Sequence, residues 1–293
     1  MTMRFEGTFP ALVTPFAEGA IDEEALRALV SRCTEGGVEG LVPCGTTGES
    51  PALSQKEHEQ VVRIVIEEAR GKVPVIAGVG TASTQRTIEN AQAMERLGAD
   101  ALLVVCPYYN RPTQAGLLAH FRAVAQATGL PIILYNIPGR TGVDLALETL
   151  EQLAELKNIV GIKEATGNVL RSQAIVRAFG DRFVVLSGDD ALTLPILAVG
   201  GKGVISVTAN LLPRETSEVV RLWRKGAVEE ARQLHLRLLP VHESLFIETN
   251  PGPIKAALAD RGWIRPEIRL PLVWPAPSTV ERIRNALKGA GLG

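Results

Sequence analysis

The feature that most constrains this chain is a repeat. Eight short apolar runs, at 8–16, 40–45, 73–80, 101–107, 131–138, 160–166, 183–190 and 203–210, are each followed by a stretch of helical period. A strand with one wet face alternates apolar and polar residues. ALLVVCP (101–107) and PIILYNIP (131–138) are instead nearly continuous, as expected where both faces of a parallel sheet are buried. The intervening stretches carry helix-cap chemistry. The segment 54–70 opens with Ser54 and Glu57, a capping box, and 22–36 begins with Asp22 and stops before Gly37.

Repeated strand-then-helix units predict either a closed barrel or a doubly wound open sheet. The count of eight favours the (β/α)₈ TIM barrel. An open dinucleotide-binding sheet needs GxGxxG, and Gly78-Val79-Gly80 is followed by Thr81-Ala82-Ser83, without the third glycine. Gly200-Gly201-Lys202-Gly203 looks like a phosphate loop, but it precedes the eighth strand and so falls on the stability face of a barrel. Beyond residue 224 the strands stop and helical patterns follow at 228–246, 253–262 and 278–290. The expected organisation is a catalytic barrel over 1–224 and a small helical C-terminal domain over 225–293.

Several function classes drop out. A formal net charge of −1 with no block of like charges gives no face for nucleic acid. The N-terminal MTMRFEGTFP has a charge and a proline where a signal peptide needs an apolar stretch, and no window reaches the roughly 18 apolar residues of a membrane span. Cys33, Cys44 and Cys106 form no CxxC pair, which speaks against a disulfide or zinc framework. A cytoplasmic protein in a reducing compartment is expected.

In a barrel of this kind the active site sits at the C-terminal ends of the strands. The unusual polar residues gather there: Gly45-Thr46-Thr47-Gly48-Glu49-Ser50 after strand 2, Tyr108 and Tyr109 after strand 4, and Tyr135 to Gly142 around the end of strand 5. All three tyrosines of the chain belong to this set. Lys163 lies inside the sixth strand, where a charge facing an apolar interior is costly. Burial disfavours the ammonium form, and the neutral amine is the form that attacks a carbonyl carbon. A lysine at a strand end can also snorkel to water; the hydroxyls converging on the same rim favour the nucleophile. Asp189 and Asp190 read first as a cap for the following helix, with a divalent ion as the weaker alternative. The turn 45–48 either is a plain tight turn or offers successive N–H groups and two hydroxyls to a carboxylate.

The motifs GTTGE, PYYNRP, YNIPGRTG, GIKEATG, LSGDD and GVISVTAN, in this order along essentially the whole chain, resemble the dihydrodipicolinate synthase (4-hydroxy-tetrahydrodipicolinate synthase) members of the pyruvate-dependent Schiff-base aldolase family. The resemblance implies that Lys163 forms an imine with pyruvate and that Thr47 and nearby N–H groups hold the pyruvate carboxylate. Tyr135 moves protons, linked to Thr46 and to Tyr109, which in the family enters from the adjacent subunit of a homotetramer built as a dimer of dimers. Gly188 and Ile205 line the pyruvate pocket. Arg140 holds the carboxylate of L-aspartate 4-semialdehyde, a task suited to a planar guanidinium. No metal and no organic cofactor are implied. Two rivals stand beside this reading. One is an aldolase of the same family acting on 2-keto-3-deoxy sugar acids, against which Arg140 counts; the other is a barrel that binds a keto acid without turning it over. Lysine-inhibited members of the family carry an effector pocket that Ser50, His58 and Tyr108 match. Ala82, Arg86 and Gln55 depart from it, so weak or absent inhibition by L-lysine is expected.

Overall fold

A computed structural model describes residues 5–293. Seven of the apolar runs form parallel strands: β1 (Gly7–Pro10), β3 (Ile76–Gly78), β4 (Ala101–Val105), β5 (Ile132–Asn136), β6 (Ile159–Glu164), β7 (Val184–Ser187) and β8 (Gly203–Ser206). The second run contributes only residues 41–42, taken here as β2, bridged in parallel to Ala11 on one side and Val75 on the other. Leu41 N donates to Pro74 O and Val42 N to Pro10 O, each at 2.9 Å. These bonds join β1 to β3, and since β1 also pairs with β8, the sheet closes on itself as an eight-membered barrel.

The helices between the strands are α1 (Glu23–Glu35), α2 (Gln55–Ala69), α3 (Thr84–Leu97), α4 (Gln114–Gln126), α5 (Leu147–Leu153), α6 (Val169–Phe179), α7 (Thr193–Ala198) and α8 (Pro213–Arg224). Asp22 caps α1 by accepting from Ala25 N, and both bonds of the Ser54–Glu57 capping box are made at the start of α2. Gly37, at φ 81°, gives the left-handed turn that releases the chain after α1. The larger apolar core lies between strands and helices, and a smaller one fills the barrel, including Phe9, Val42, Ile76, Ile133, Leu186 and Ile205. Three helices follow the barrel, α9 (Val228–Ser244), α10 (Gly252–Asp260) and α11 (Pro277–Gly289). No helix among the described residues is long and apolar enough to cross a membrane.

Several strands end sooner than the apolar runs that announce them, for a polar reason. After β7, Asp189 accepts from Ala191 N and opens a single 3₁₀ turn, Asp190–Leu192. The buried Asp190 carboxylate accepts from Val207 N and Thr208 N, at 2.9 and 3.1 Å, tying the end of β7 to the end of β8. These bonds give Asp189 a capping role, at a 3₁₀ turn, and make Asp190 the tie between two strand ends.

Candidate active site

Lys163 is held by register. Its partner in β5 is Tyr135 and in β7 Leu186, so the three side chains issue on the same face of the sheet, toward the barrel interior. Lys163 is 5% exposed, and its Nζ lies 4.2 Å from the centroid of the Tyr135 ring. It makes no ion pair among the described residues. Glu164, its neighbour in sequence, points to the opposite face and is kept away from the amine. There it accepts from Arg171 Nε at 2.8 Å, from Asn136 Nδ2 at 3.3 Å and from Thr166 N at 2.8 Å. The carboxylate is thereby satisfied beneath α6, and the amine meets an aromatic face and apolar walls. Gly188 follows β7, its N–H donating to Glu164 O at 2.8 Å. Ile205 lies in β8, buried in the same interior cluster as Tyr135.

The turn 45–49 joins β2 to α2. Its internal bonds run from Gly48 N to Gly45 O and from Glu49 N to Thr46 O, both 3.1 Å, while Thr14 Oγ1 donates to Gly48 O at 2.7 Å. The N–H groups of Thr46 and Thr47 meet no acceptor among the described residues, so the turn presents two free donors as an anion-binding nest does. The Thr47 hydroxyl accepts from Asn250 Nδ2 at 2.9 Å. Arg140, exposed on the one-turn helix Pro138–Thr141, donates from Nη2 to Asn250 O at 3.3 Å, one use among the several N–H donors of a guanidinium.

Thr46, Tyr135 and Arg140 share the wall of a cavity of about 230 Å³ with Ser50, His58, Asn90 and Tyr108. His58 Nε2 lies 2.8 Å from Gly78 O, and burial holds this imidazole below its ordinary range, so it is neutral at pH 7. Cys44 also lines the cavity, and burial pushes its thiol and that of Cys106 far up, the latter to about 12. Neither serves as a thiolate nucleophile at neutral pH. His242, distant in sequence from every strand end, nonetheless reaches one: its Nδ1 is 2.8 Å from Thr208 Oγ1.

The chain thus gathers Lys163, Tyr135, Thr46, Thr47, Arg140, Gly188 and Ile205 at the C-terminal ends of the strands. Tyr109 stands apart at 89% exposed, with a left-handed backbone at φ 68°. No hydrogen bond joins Tyr135, Thr46 and Tyr109 within the single chain, among the described residues.

Residues 4–290 match the dihydrodipicolinate synthetase family. The chain belongs to that family. A 4-hydroxy-tetrahydrodipicolinate synthase of Sorangium cellulosum is 54% identical over 285 residues, covering 96% of this chain and 95% of its own. Among solved structures, the 4-hydroxy-tetrahydrodipicolinate synthase of Methylacidiphilum fumariolicum SolV superposes with a TM-score of 0.97 at 48% identity, covering 98% of this chain and 96% of its own. A lysine-bound enzyme of Cyanidioschyzon merolae gives 0.96 at 42% identity, with 99% of both chains covered. Within the dihydrodipicolinate synthetase frame, sequence reasoning misses two residues of the site region. Asn250 sits in a Pro- and Gly-rich connector that gives no chemical signal. Lys255, a charge within the apolar stretch PIKAALA, is visible by the logic that finds Lys163, and it is fully buried.

Proposed function

We propose that this chain condenses pyruvate with L-aspartate 4-semialdehyde to 4-hydroxy-tetrahydrodipicolinate, in diaminopimelate and lysine biosynthesis, as a lyase working through Lys163. The supporting observation is the placement of Lys163: a buried amine, with no carboxylate partner among the described residues, beside Tyr135, which shares a cavity wall with Thr46 of the carboxylate-binding turn. The amine attacks C2 of pyruvate, and water leaves to give the imine. Loss of a C3 proton gives the enamine, whose C3 attacks the semialdehyde carbonyl. The semialdehyde amine then displaces Lys163 as the ring closes, and the lysine is regenerated. Thr47 and the N–H groups of Thr46 and Thr47 hold the pyruvate carboxylate. Tyr135 carries protons, Arg140 holds the semialdehyde carboxylate, and Gly188 and Ile205 shape the pyruvate pocket.

The same proposal includes a catalytic barrel over 1–224 with a helical unit over 225–293, a cytoplasmic location, and a homotetramer arranged as a dimer of dimers. In that assembly the exposed Tyr109 enters the neighbouring site and joins the relay with Thr46 and Tyr135. Sedimentation of the unaltered protein and of Tyr109→Phe tests it, with a tetramer and a loss of turnover expected.

Borohydride reduction in the presence of pyruvate, followed by peptide mass spectrometry, tests the chemistry. One reduced pyruvyl group on Lys163 is expected. A label on Lys255, the other buried lysine among the described residues, or no label at all, overturns the mechanism. Turnover of aspartate semialdehyde far above that of N-acetylmannosamine or glyceraldehyde separates the synthase from a sugar-acid aldolase.

A further inference from the structure

Glu49 ends the turn that carries Thr46 and Thr47, and it is held from outside the barrel. Its backbone is left-handed at φ 54°, a conformation that a residue with a side chain keeps only when its surroundings impose it. Its carboxylate is buried. Oε1 accepts from Lys255 Nζ at 2.5 Å, and Oε2 accepts from Arg269 N at 2.9 Å. Lys255 is on α10 and Arg269 follows that helix, so both partners belong to the helical segment after the barrel. The Lys255 ammonium lies 4.3 Å and the Arg269 guanidinium 4.2 Å from the centroid of the same ring, Phe16. Two cations around one ring repel each other, and each has its own carboxylate to offset this: Glu49 for Lys255, and Glu57 for the Arg269 guanidinium, whose Nη2 donates to Oε1 at 2.5 Å. Just before α10, Asn250 supplies the bond to Thr47 Oγ1 and the carbonyl that receives Arg140.

We propose that Glu49, Lys255 and Asn250 are positioning residues: the helical segment after the barrel sets the geometry of the turn that binds the keto-acid carboxylate. The proposal rests on that reading of the turn. A buried ion pair is weak evidence for stability, because desolvation offsets much of the attraction. The location of this pair is more informative than its strength, since it clamps the left-handed residue that closes the ligand-facing turn. The Asn250 bond has a directional consequence. Nδ2 donates to the Thr47 oxygen, so the Thr47 hydroxyl proton must point elsewhere. The hydroxyl is left as a donor, beside two free N–H groups, for an incoming carboxylate.

The test compares Glu49→Gln, Lys255→Met and the double variant by steady-state kinetics and thermal unfolding. Each single variant leaves one buried group unpaired and is expected to lower Tm. Each should also raise KM for pyruvate about tenfold, the loss expected for one charge-assisted hydrogen bond to the carboxylate, with KM for aspartate semialdehyde and kcat within about twofold. The double variant removes both charges, so Tm should recover while the pyruvate KM stays raised. Recovery of KM together with Tm, or a parallel rise in the semialdehyde KM, makes the pair structural only and overturns the proposal. Where the single variants do not fold, Asn250→Ala carries the test: it spares the ion pair and removes the Thr47 bond. A pyruvate KM unchanged in that variant is equally fatal. Borohydride trapping of Lys163 in the unaltered protein is read separately. If it succeeds while the KM pattern is flat, only the positioning role falls; if it fails, both fall.

Discussion

A Cβ placed on Gly188 would stand 3.1 Å from Cε of Lys163 and 2.6 Å from Cβ of Ala165. Neither neighbour can yield cheaply, because Ala165 is anchored by its backbone and Lys163 is packed in the barrel. Gly188→Ala is therefore expected to push the lysine away from its place beside Tyr135 and to overpack the site by about 1–3 kcal/mol. Borohydride trapping with pyruvate should slow by roughly tenfold to a hundredfold, the penalty for a misplaced reacting group. An adduct formed at the unaltered rate, with the fold retained, would show that the space at Gly188 does not govern the amine.

Arg140→Ala should damage the second half-reaction alone. Among the described residues Arg140 bonds only the Asn250 carbonyl, and it lines the cavity wall without a bond to Lys163. Loss of a charged hydrogen bond to the semialdehyde carboxylate is worth about 1.5–3 kcal/mol, so kcat/KM for that substrate should fall roughly tenfold to a hundredfold. Trapping of pyruvate on Lys163 should survive. If trapping falls by the same factor, Arg140 shapes the whole mouth instead of one substrate.

The barrel is legible in the sequence because its signal is redundant: eight apolar runs with helical periods between them tolerate errors at any one boundary. The ends of the runs are less legible. The backbone of 207–208 is claimed by Asp190, and no local pattern shows that bond. Lys163 and Tyr135 are readable as chemistry because their residue types are out of place in apolar strands. Their pairing is a matter of register, which only the assembled sheet fixes. Asn250 and Lys255 reach the turn at 45–49 across more than 200 residues of chain. Their part in the site depends on where a helical segment docks, for which the sequence carries no local mark.

Acid should unfold the protein sooner than an average domain, through its histidines. His120 is buried with Nδ1 2.9 Å from Thr84 Oγ1 and Nε2 without a partner, and burial lowers it to about 4. Burial also lowers His58, His235 and His242. In each the folded state prefers the neutral ring, so between the unfolded value near 6.5 and the folded one the unfolded chain binds more protons. Stability is full above about pH 6.5 and is lost as pH falls toward 4, with up to about 3 kcal/mol from His120 alone. Denaturant midpoints at pH 7 and pH 4.5 should differ less in His120→Gln than in the unaltered chain. An identical pH dependence in both would remove His120 from the account.

Inhibition by L-lysine is expected to be weak or absent. Ser50, His58 and Tyr108, which match the family's effector pocket in sequence, line the same cavity as Thr46, Tyr135 and Arg140. Two ammonium groups on the effector still need acceptors. Arg86, exposed in the first turn of α3, puts a cation where the pocket pattern has a carboxylate, and Ala82 lacks a hydrogen-bonding side chain. Gln55 is turned to Glu59, its Nε2 donating to Oε1 at 2.9 Å. The unpartnered acceptor on the cavity wall, Asn90 Oδ1, is neutral and offsets only part of this loss. At about 4 Å in a partly solvated setting, two like charges repel by up to roughly 4 kcal/mol before relaxation and salt screening. Even a quarter of that weakens binding about fivefold. Rates measured across lysine concentrations, with isothermal titration alongside, should show no half-inhibition up to and beyond the millimolar range. Half-inhibition at or below it would mean that Arg86 swings into solvent and that Ser50, His58, Tyr108 and Asn90 hold the effector by themselves, in which case Arg86→Glu should tighten it further.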